Sequence, residues 1–396
     1  MRRRPSAYRQ QGMFAPALII LLSLAGIGWL LARQPSAASV DLARESRTAQ
    51  ALGLAREALL GFAATYRSRE HPNADFGYLP CPDLDGDGSS ETCGGKDQTS
   101  VGRLPYLTLN LPDLRDGAGE CLWYAVSGSF KNNPKADVLN WDSTGRFRIE
   151  DADAAVLKLA GDQAGHAAAL VIAAGPPLPD QTRTPGPARC GGDTQARNIA
   201  HYIEALGALE GSGPIPVRPA AGNDRIATIT TGDIFRQLKN RPSYAPWLQT
   251  VLQAVADCLT RPELPAVVAA AGHGPVEVGR LPPLERLGGS CRSESLRDAA
   301  ANWAEVTRYA RCIGGTACLG GPATRCRGAL LFGGERRDPG QRRLDVADRQ
   351  ATDNYLEADT LALLAAGTIA TLPNIIALPV ALPAQAISTD VALCIP

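Results

Sequence analysis

The densest run of chemistry-bearing residues is Leu79-Pro80-Cys81-Pro82-Asp83-Leu84-Asp85-Gly86-Asp87-Gly88. Three carboxylates at alternate positions, followed by a glycine that permits a sharp turn, have the spacing of the first half of a calcium loop. Asp83, Asp85 and Asp87 offer hard oxygen ligands, Ser89 can add its carbonyl oxygen, and Glu91 can act directly or through water. The acid that closes an EF-hand loop is missing, because Gly94 stands in its place. Without a cation the carboxylates repel one another. Asp and Gly also build turns that need no ion, so a calcium site and an empty acidic turn both stand at this level. Cys81 and Cys93 bracket the stretch, and a bond between them would shorten its unfolded ensemble.

The other cysteines are Cys121, Cys190, Cys258, Cys291, Cys312, Cys318, Cys326 and Cys394, ten in all. The number is even and every one lies beyond the apolar N-terminal stretch, which fits disulfides formed after export, with the pairing open. Zinc is disfavoured because Cys312 and Cys318 are separated by five residues and no Cys-x-x-Cys or Cys/His cluster occurs.

No catalytic set stands out, and no organic cofactor is expected. The four histidines are His71, His166, His201 and His273. His201 and Glu204 can meet across a helical turn, which is usually an ordinary surface contact. Nucleophile elbow, zinc-protease pair, phosphate loop and dinucleotide glycine set are all missing. Arg325, Arg327, Arg336, Arg337, Arg342 and Arg343 could form a basic patch for DNA or an anionic surface, although Glu335 and Asp338 interrupt it. Forty basic residues balance forty acidic ones, which argues against a general affinity for nucleic acid.

The acidic loop needs elements to hold it. Leu52, Ala55, Leu59 and Phe62 share one face of a helix over 40–66, which His71-Pro72-Asn73 stops. Turn glycines at 117 and 119 precede a strand through Leu122–Val126, and further strands are expected at 147–149, 166–175 and 225–230. Thr231 is placed to cap a short helix through Asn240, with Asp233 at its positive end. Tyr244, Leu248, Val251, Val255 and Cys258 share the face of a second helix, and Ser295 with Asp298 suggests a capping box for a third. Ala169–Gly175, Gln181-Thr182-Arg183 and Tyr202-Ile203-Glu204-Ala205 are echoed in order by Ala329–Gly334, Gln341-Arg342-Arg343 and Tyr355-Leu356-Glu357-Ala358, with unequal spacing. Duplication and chance similarity both explain that echo.

Met13 to Ala32 holds 20 residues without a charge, roughly 30 Å of helix and one bilayer core. Arg2, Arg3, Arg4 and Arg9 precede it, which predicts a single span with the remainder exported. Arg9-Gln10-Gln11-Gly12, followed by Met13-Phe14 and the apolar run, resembles the leader junction of type IV prepilins. The block from Leu79-Pro80-Cys81-Pro82 through Gly102-Arg103-Leu104-Pro105 to Leu122-Trp123-Tyr124 is similar to the heads of a prepilin-like group. The glutamate usual five residues into the mature chain is Ala17 here.

The resemblance implies cleavage between Gly12 and Met13, methylation of the new terminus, and an α+β, pilin-like fold. In that fold a long N-terminal membrane helix packs on an antiparallel-sheet head, with an additional disulfide-containing α/β region. The expected order is a leader at 1–12, a transmembrane helix at 13–35, a helix and head at 36–160 and an extension at 161–261. A Pro/Gly-rich linker at 262–290 and a cysteine-rich region at 291–396 follow. The implied function is a minor pilin or pseudopilin-like structural subunit of a type IV pilus or type II secretion assembly, not an enzyme. It would be anchored in a bacterial inner membrane with its head in the periplasm. Implied partners are prepilin peptidase, other pilin or pseudopilin subunits, an inner-membrane assembly platform and the membrane itself. The alternative is a membrane-anchored periplasmic binding protein for DNA or a surface ligand, or a periplasmic hydrolase.

Overall fold

The computed structural model describes residues 18–20, 22–23, 37–70, 76–183, 198–321, 324–336, 340–378 and 390–396. Along the chain run α1 (Ala37–Glu70), β1 (Asp97–Arg103), β2 (Trp123–Gly128), β3 (Phe147–Ile149), β4 (Ala169–Ala173), β5 (Ile215–Val217) and β6 (Arg225–Ile229). Then come α2 (Thr231–Lys239), α3 (Tyr244–Leu259), β7 (Val268–His273), β8 (Val276–Arg280), α4 (Glu294–Trp303) and β9 (Thr307–Cys312). The chain closes with β10 (Leu319–Gly320), β11 (Arg325–Cys326), β12 (Gly328–Phe332), α5 (Val346–Gln350), α6 (Ala358–Ala365) and β13 (Val391–Ile395). Thr48–Pro396 is one compact unit, and the packing described below lies within it.

Two antiparallel sheets dominate, ordered β1-β2-β4-β6 and β13-β12-β9-β8-β7. Strands β2, β4 and β12 are buried along their whole length, so they read as continuous apolar runs rather than alternating ones. The two faces still separate by the strand period of two. Tyr124, Val126 and Val171 join one core with the buried stripe of α1, namely Ala51, Leu52, Ala55, Leu59 and Ala63. That core continues through α2 and α3 to Tyr309, Leu330 and Phe332 of the second sheet. Trp123, Ala125, Leu170 and Ile172 face the opposite way, against Phe147, Tyr202 and Val217.

The sheets repeat each other residue by residue. Tyr124 stands between Gly102 and Val171 in the first, and Tyr309 between Gly279 and Leu330 in the second. Ala125 lies between Val101 and Leu170, and Ala310 between Val278 and Ala329. Gly102 and Gly279 are required for the same reason: an added Cβ would meet the carbonyl oxygen of Asp83 in one and of Val268 in the other, at 2.5 Å in each case. Asp83 pairs with Arg103 as Val268 pairs with Arg280. The acidic segment and β7 therefore occupy equivalent edges.

Several expectations change. The structure is α+β with several sheets, but among the described residues no helix is long and apolar enough to cross a membrane. That corrects the pilin-like architecture and the single-pass inner-membrane placement. The leader, the Gly12–Met13 junction, Ala17 and most of the apolar run lie outside the described residues, as do His71, Pro72 and Asn73. The Pro/Gly-rich stretch 262–290 carries the β7–β8 hairpin, because Val276 and Val278 are buried while the glycines and Pro275 serve turns and close approaches. Helix α2 is capped by Thr230, one residue earlier than expected, in a reciprocal box with Asp233. Ser293, not Ser295, precedes α4, and its side chain makes no cap hydrogen bond.

Candidate metal centre

Cys81 is bonded to Cys93, closing the acidic loop with 5.8 Å between the two Cα atoms. The loop is further tied to the segment that follows β2. Asn132 Oδ1 accepts from the Cys81 amide at 3.2 Å, and the Cys93 amide donates to the Asn133 carbonyl at 3.1 Å. Lys131 is fully buried and donates to the carbonyls of Cys93 and Gly95. Burial pulls its ammonium below the usual lysine range, against the pull of the Asp97 charge.

Asp83 is the fixed point. Its backbone exchanges hydrogen bonds with Arg103 at 3.0 and 2.8 Å, and only 1% of the residue is exposed. Its Oδ1 accepts from the Gly86 amide at 2.5 Å and its Oδ2 from the Gly88 amide at 2.8 Å. Both glycines have positive φ, 86° and 94°, a conformation that side chains disfavour. A Cβ on Gly88 would also meet the Tyr106 ring at 2.6 Å. The loop then winds by short-range turns: Asp85 Oδ1 accepts from Asp87 N at 3.1 Å, and Asp87 Oδ1 from Ser89 N at 2.7 Å. Glu91 closes back, accepting from the Leu84 amide at 2.6 Å.

One oxygen from each of Asp83, Asp85, Asp87 and Glu91 lies within 4.8 Å of the others. This cluster can coordinate a metal ion, since it presents hard oxygens around one point. Burial foremost, with the charges of Asp87 and Asp85 adding, pushes the Asp83 carboxyl above the usual range, against its two amide donors. Glu91 is raised too, by burial first and by the three aspartates. Ser89, expected as a carbonyl ligand, gives its amide to Asp87.

The other sequence candidates disperse. Cys258 pairs with Cys291, Cys312 with Cys318, and Cys326 with Cys394. Cys121 is also disulfide-bonded, and Cys190 lies outside the described residues. The arginines of the expected patch divide, with Arg325, Arg336 and Arg342 exposed. Arg343 is fully buried, and Arg327 donates to the carbonyls of Pro396, Pro262 and Arg261. Arg337 lies outside the described residues. His201 and Glu204 do not face one another as a pair: His201 Nδ1 accepts from the Thr182 amide at 3.3 Å, and Glu204 holds the Gln181 side chain.

A cleft of about 820 Å³ opens between the start of β1 and the 209–214 loop. Its central arginine, Arg146, is spent on the carbonyls of Gly211 and Gly213 and on Thr99 Oγ1. His166 Nδ1 lies 3.1 Å from the Gly145 carbonyl.

Comparison with known proteins finds no matching family model, no matching curated protein and no matching solved structure. The pilin and pseudopilin resemblance is therefore not upheld, and because no helix among the described residues is long and apolar enough to cross a membrane, neither are the assembly-subunit function and its membrane-anchored binding or hydrolase alternatives.

Proposed function

We propose that this chain is a non-catalytic, disulfide-stapled protein that takes up calcium in the Cys81–Cys93 loop and is stabilised by it. The observation that carries the reading is the convergence of four carboxylates within 4.8 Å inside a covalently closed loop. A cation there relieves mutual repulsion that the loop's amide donors offset only in part, since the Asp83 and Glu91 carboxyls stay raised. Calcium suits it better than magnesium. Calcium accepts six to eight oxygens in adaptable geometry, whereas magnesium demands a near-ideal octahedron and keeps its waters.

The non-catalytic part of the reading is supported by how the titratable groups are spent. Asp116 accepts from the amides of Ala118, Glu120 and Gly175. Asp162 accepts from the amides of His166 and Gly145 and from Thr231 Oγ1. Such carboxylates organise loops. The disulfides favour an oxidising environment for maturation.

The test is calorimetric titration with calcium, alongside thermal unfolding in calcium or excess chelator at matched ionic strength. Calcium should raise the melting temperature, by linkage worth about 2.7 kcal/mol at a hundredfold excess over Kd. Asp85→Asn should weaken the effect. Absence of binding heat together with equal melting temperatures would leave the loop an acidic turn.

A further inference from the structure

The repetition of the two sheets extends into the connections that follow β4 and β12. In the first half β4 runs into Gly175, whose φ is 61°, and in the second β12 runs into Gly334, whose φ is 60°. Arg183 then donates to the Gly175 carbonyl at 2.7 Å and to the His201 carbonyl at 2.7 Å. Arg343 donates to the Gly334 carbonyl at 3.1 Å and to the Asn354 carbonyl at 2.6 Å. His201 and Asn354 each end a short 3-10 turn directly before a tyrosine. Arg183 lies over the Tyr202 ring at 4.6 Å and Arg343 over the Tyr355 ring at 4.3 Å. Each arginine also meets a carboxylate, Glu120 at 3.3 Å and Asp142 at 3.0 Å. Two residues past each tyrosine, the amide of Glu204 donates to Asp224 at 2.9 Å, and the amide of Glu357 to Asp390 at 2.8 Å. Asp224 and Asp390 both immediately precede the last strand of their sheet.

Independent solutions to a packing problem do not reproduce the same partners in the same chain order. We infer that residues 79–229 and 264–395 are two copies of one folding unit joined in tandem, and that the arginine–tyrosine–aspartate clasp repeated in each is the device that seats that copy's closing strand. The need for it follows from topology. β6 and β13 are edge strands with one neighbour each, and a long connection precedes each of them. An edge strand gains half the ladder hydrogen bonds of a central one, so its seating depends on what fixes its entry. The aspartate ties the entry to the tyrosine turn, and the arginine ties that turn to the exit of the neighbouring strand. Nothing in this inference depends on the ion.

The experiment is hydrogen exchange read by mass spectrometry on the full chain with its disulfides intact. Asp224→Ala should speed exchange about tenfold or more in 203–205 and β6 while leaving β13 unchanged. Asp390→Ala should do the same in 356–358 and β13 while leaving β6 unchanged. Should either alanine variant fail to fold, Arg183→Lys and Arg343→Lys keep the charge but lose the two-carbonyl fork, and they should give the same half-by-half pattern. Unchanged exchange in the variant's own closing strand, or equal acceleration in both, would overturn the inference.

Discussion

Arg343, in the second half of the chain, meets Asp142 of the first at 3.0 Å, with both side chains almost entirely out of solvent. The pair sits beside a ring cluster that also spans the halves, with Trp141 4.6 Å from Trp303 and 5.5 Å from Phe332. Asn140 adds a hydrogen bond to the Asn302 carbonyl at 2.8 Å. Removing one partner of such a buried pair strands the other's charge. Arg343→Met should therefore cost about 3–5 kcal/mol in urea unfolding, whereas Asp142→Asn, which keeps an acceptor, should cost less. A loss under about 1 kcal/mol for Arg343→Met would show that the pair is not holding the halves.

Asp224 sets a pH dependence. Burial, with the Glu204 charge adding, pushes its carboxyl up to about 7, against the amides of Ala205 and Glu204 and the charge of Arg183. Its folded value is raised above the unfolded one, near 3.9, so between them the folded chain holds a proton that the unfolded chain has released. Stability from this group is full below about pH 4, declines as pH rises through about 7, and is flat above. Asp224→Asn should remove that slope and leave the variant more stable than the parent at pH 8, by up to about 4 kcal/mol. Denaturant midpoints at pH 5 and pH 8 check it; parallel pH profiles for the two proteins would refute it.

Two glycines with similar backbone angles separate strain from collision. Gly88 and Gly119 have φ of 94° and 90°, but a Cβ on Gly88 strikes the Tyr106 ring at 2.6 Å, whereas one on Gly119 meets nothing within 4 Å. Gly119→Ala should cost about 1 kcal/mol. Gly88→Ala should cost more and should also lower calcium affinity in calorimetry. Equal costs, with affinity unchanged, would mean that the loop relaxes freely.

The staples differ in reach. Cys326 and Cys394 are 68 residues apart, and Cys312 and Cys318 only 6. Loop-closure entropy then assigns about 4 kcal/mol to the first and about 2 to the second. Paired alanine substitutions with chemical denaturation should reproduce that order, and the reverse order would exclude a chain-entropy origin.

The acidic loop was legible in sequence because its parts are local: alternate aspartates, turn glycines and two bracketing cysteines all lie within residues 81–93. Helix α3 was legible from its apolar period. Lys131 was not, since nothing in its neighbourhood announces a buried ammonium whose partners are carbonyls some 36–38 residues away. Arg343 reads in sequence as part of a surface patch because charge suggests exposure, and only the fold shows it enclosed. The repeat has a stronger sign in the sequence than the apolar echo. Gly-Arg-Leu-Pro occurs at 102–105 and again at 279–282, each after a Leu-Pro at 79–80 and 264–265. Its glycine is the one that lets a neighbouring backbone approach.

The wiring of the disulfides has a mechanical consequence. Cys81–Cys93 lies in the first half, while Cys258–Cys291, Cys312–Cys318 and Cys326–Cys394 all lie from α3 onward, so none of these four bonds joins the halves. Under tension the second half is shielded: the bond across 68 residues withholds about 230 Å of chain from extension. Cys121, in the first half, carries a further disulfide. A pulling force on the chain ends would therefore leave the second half as a short, covalently limited remnant.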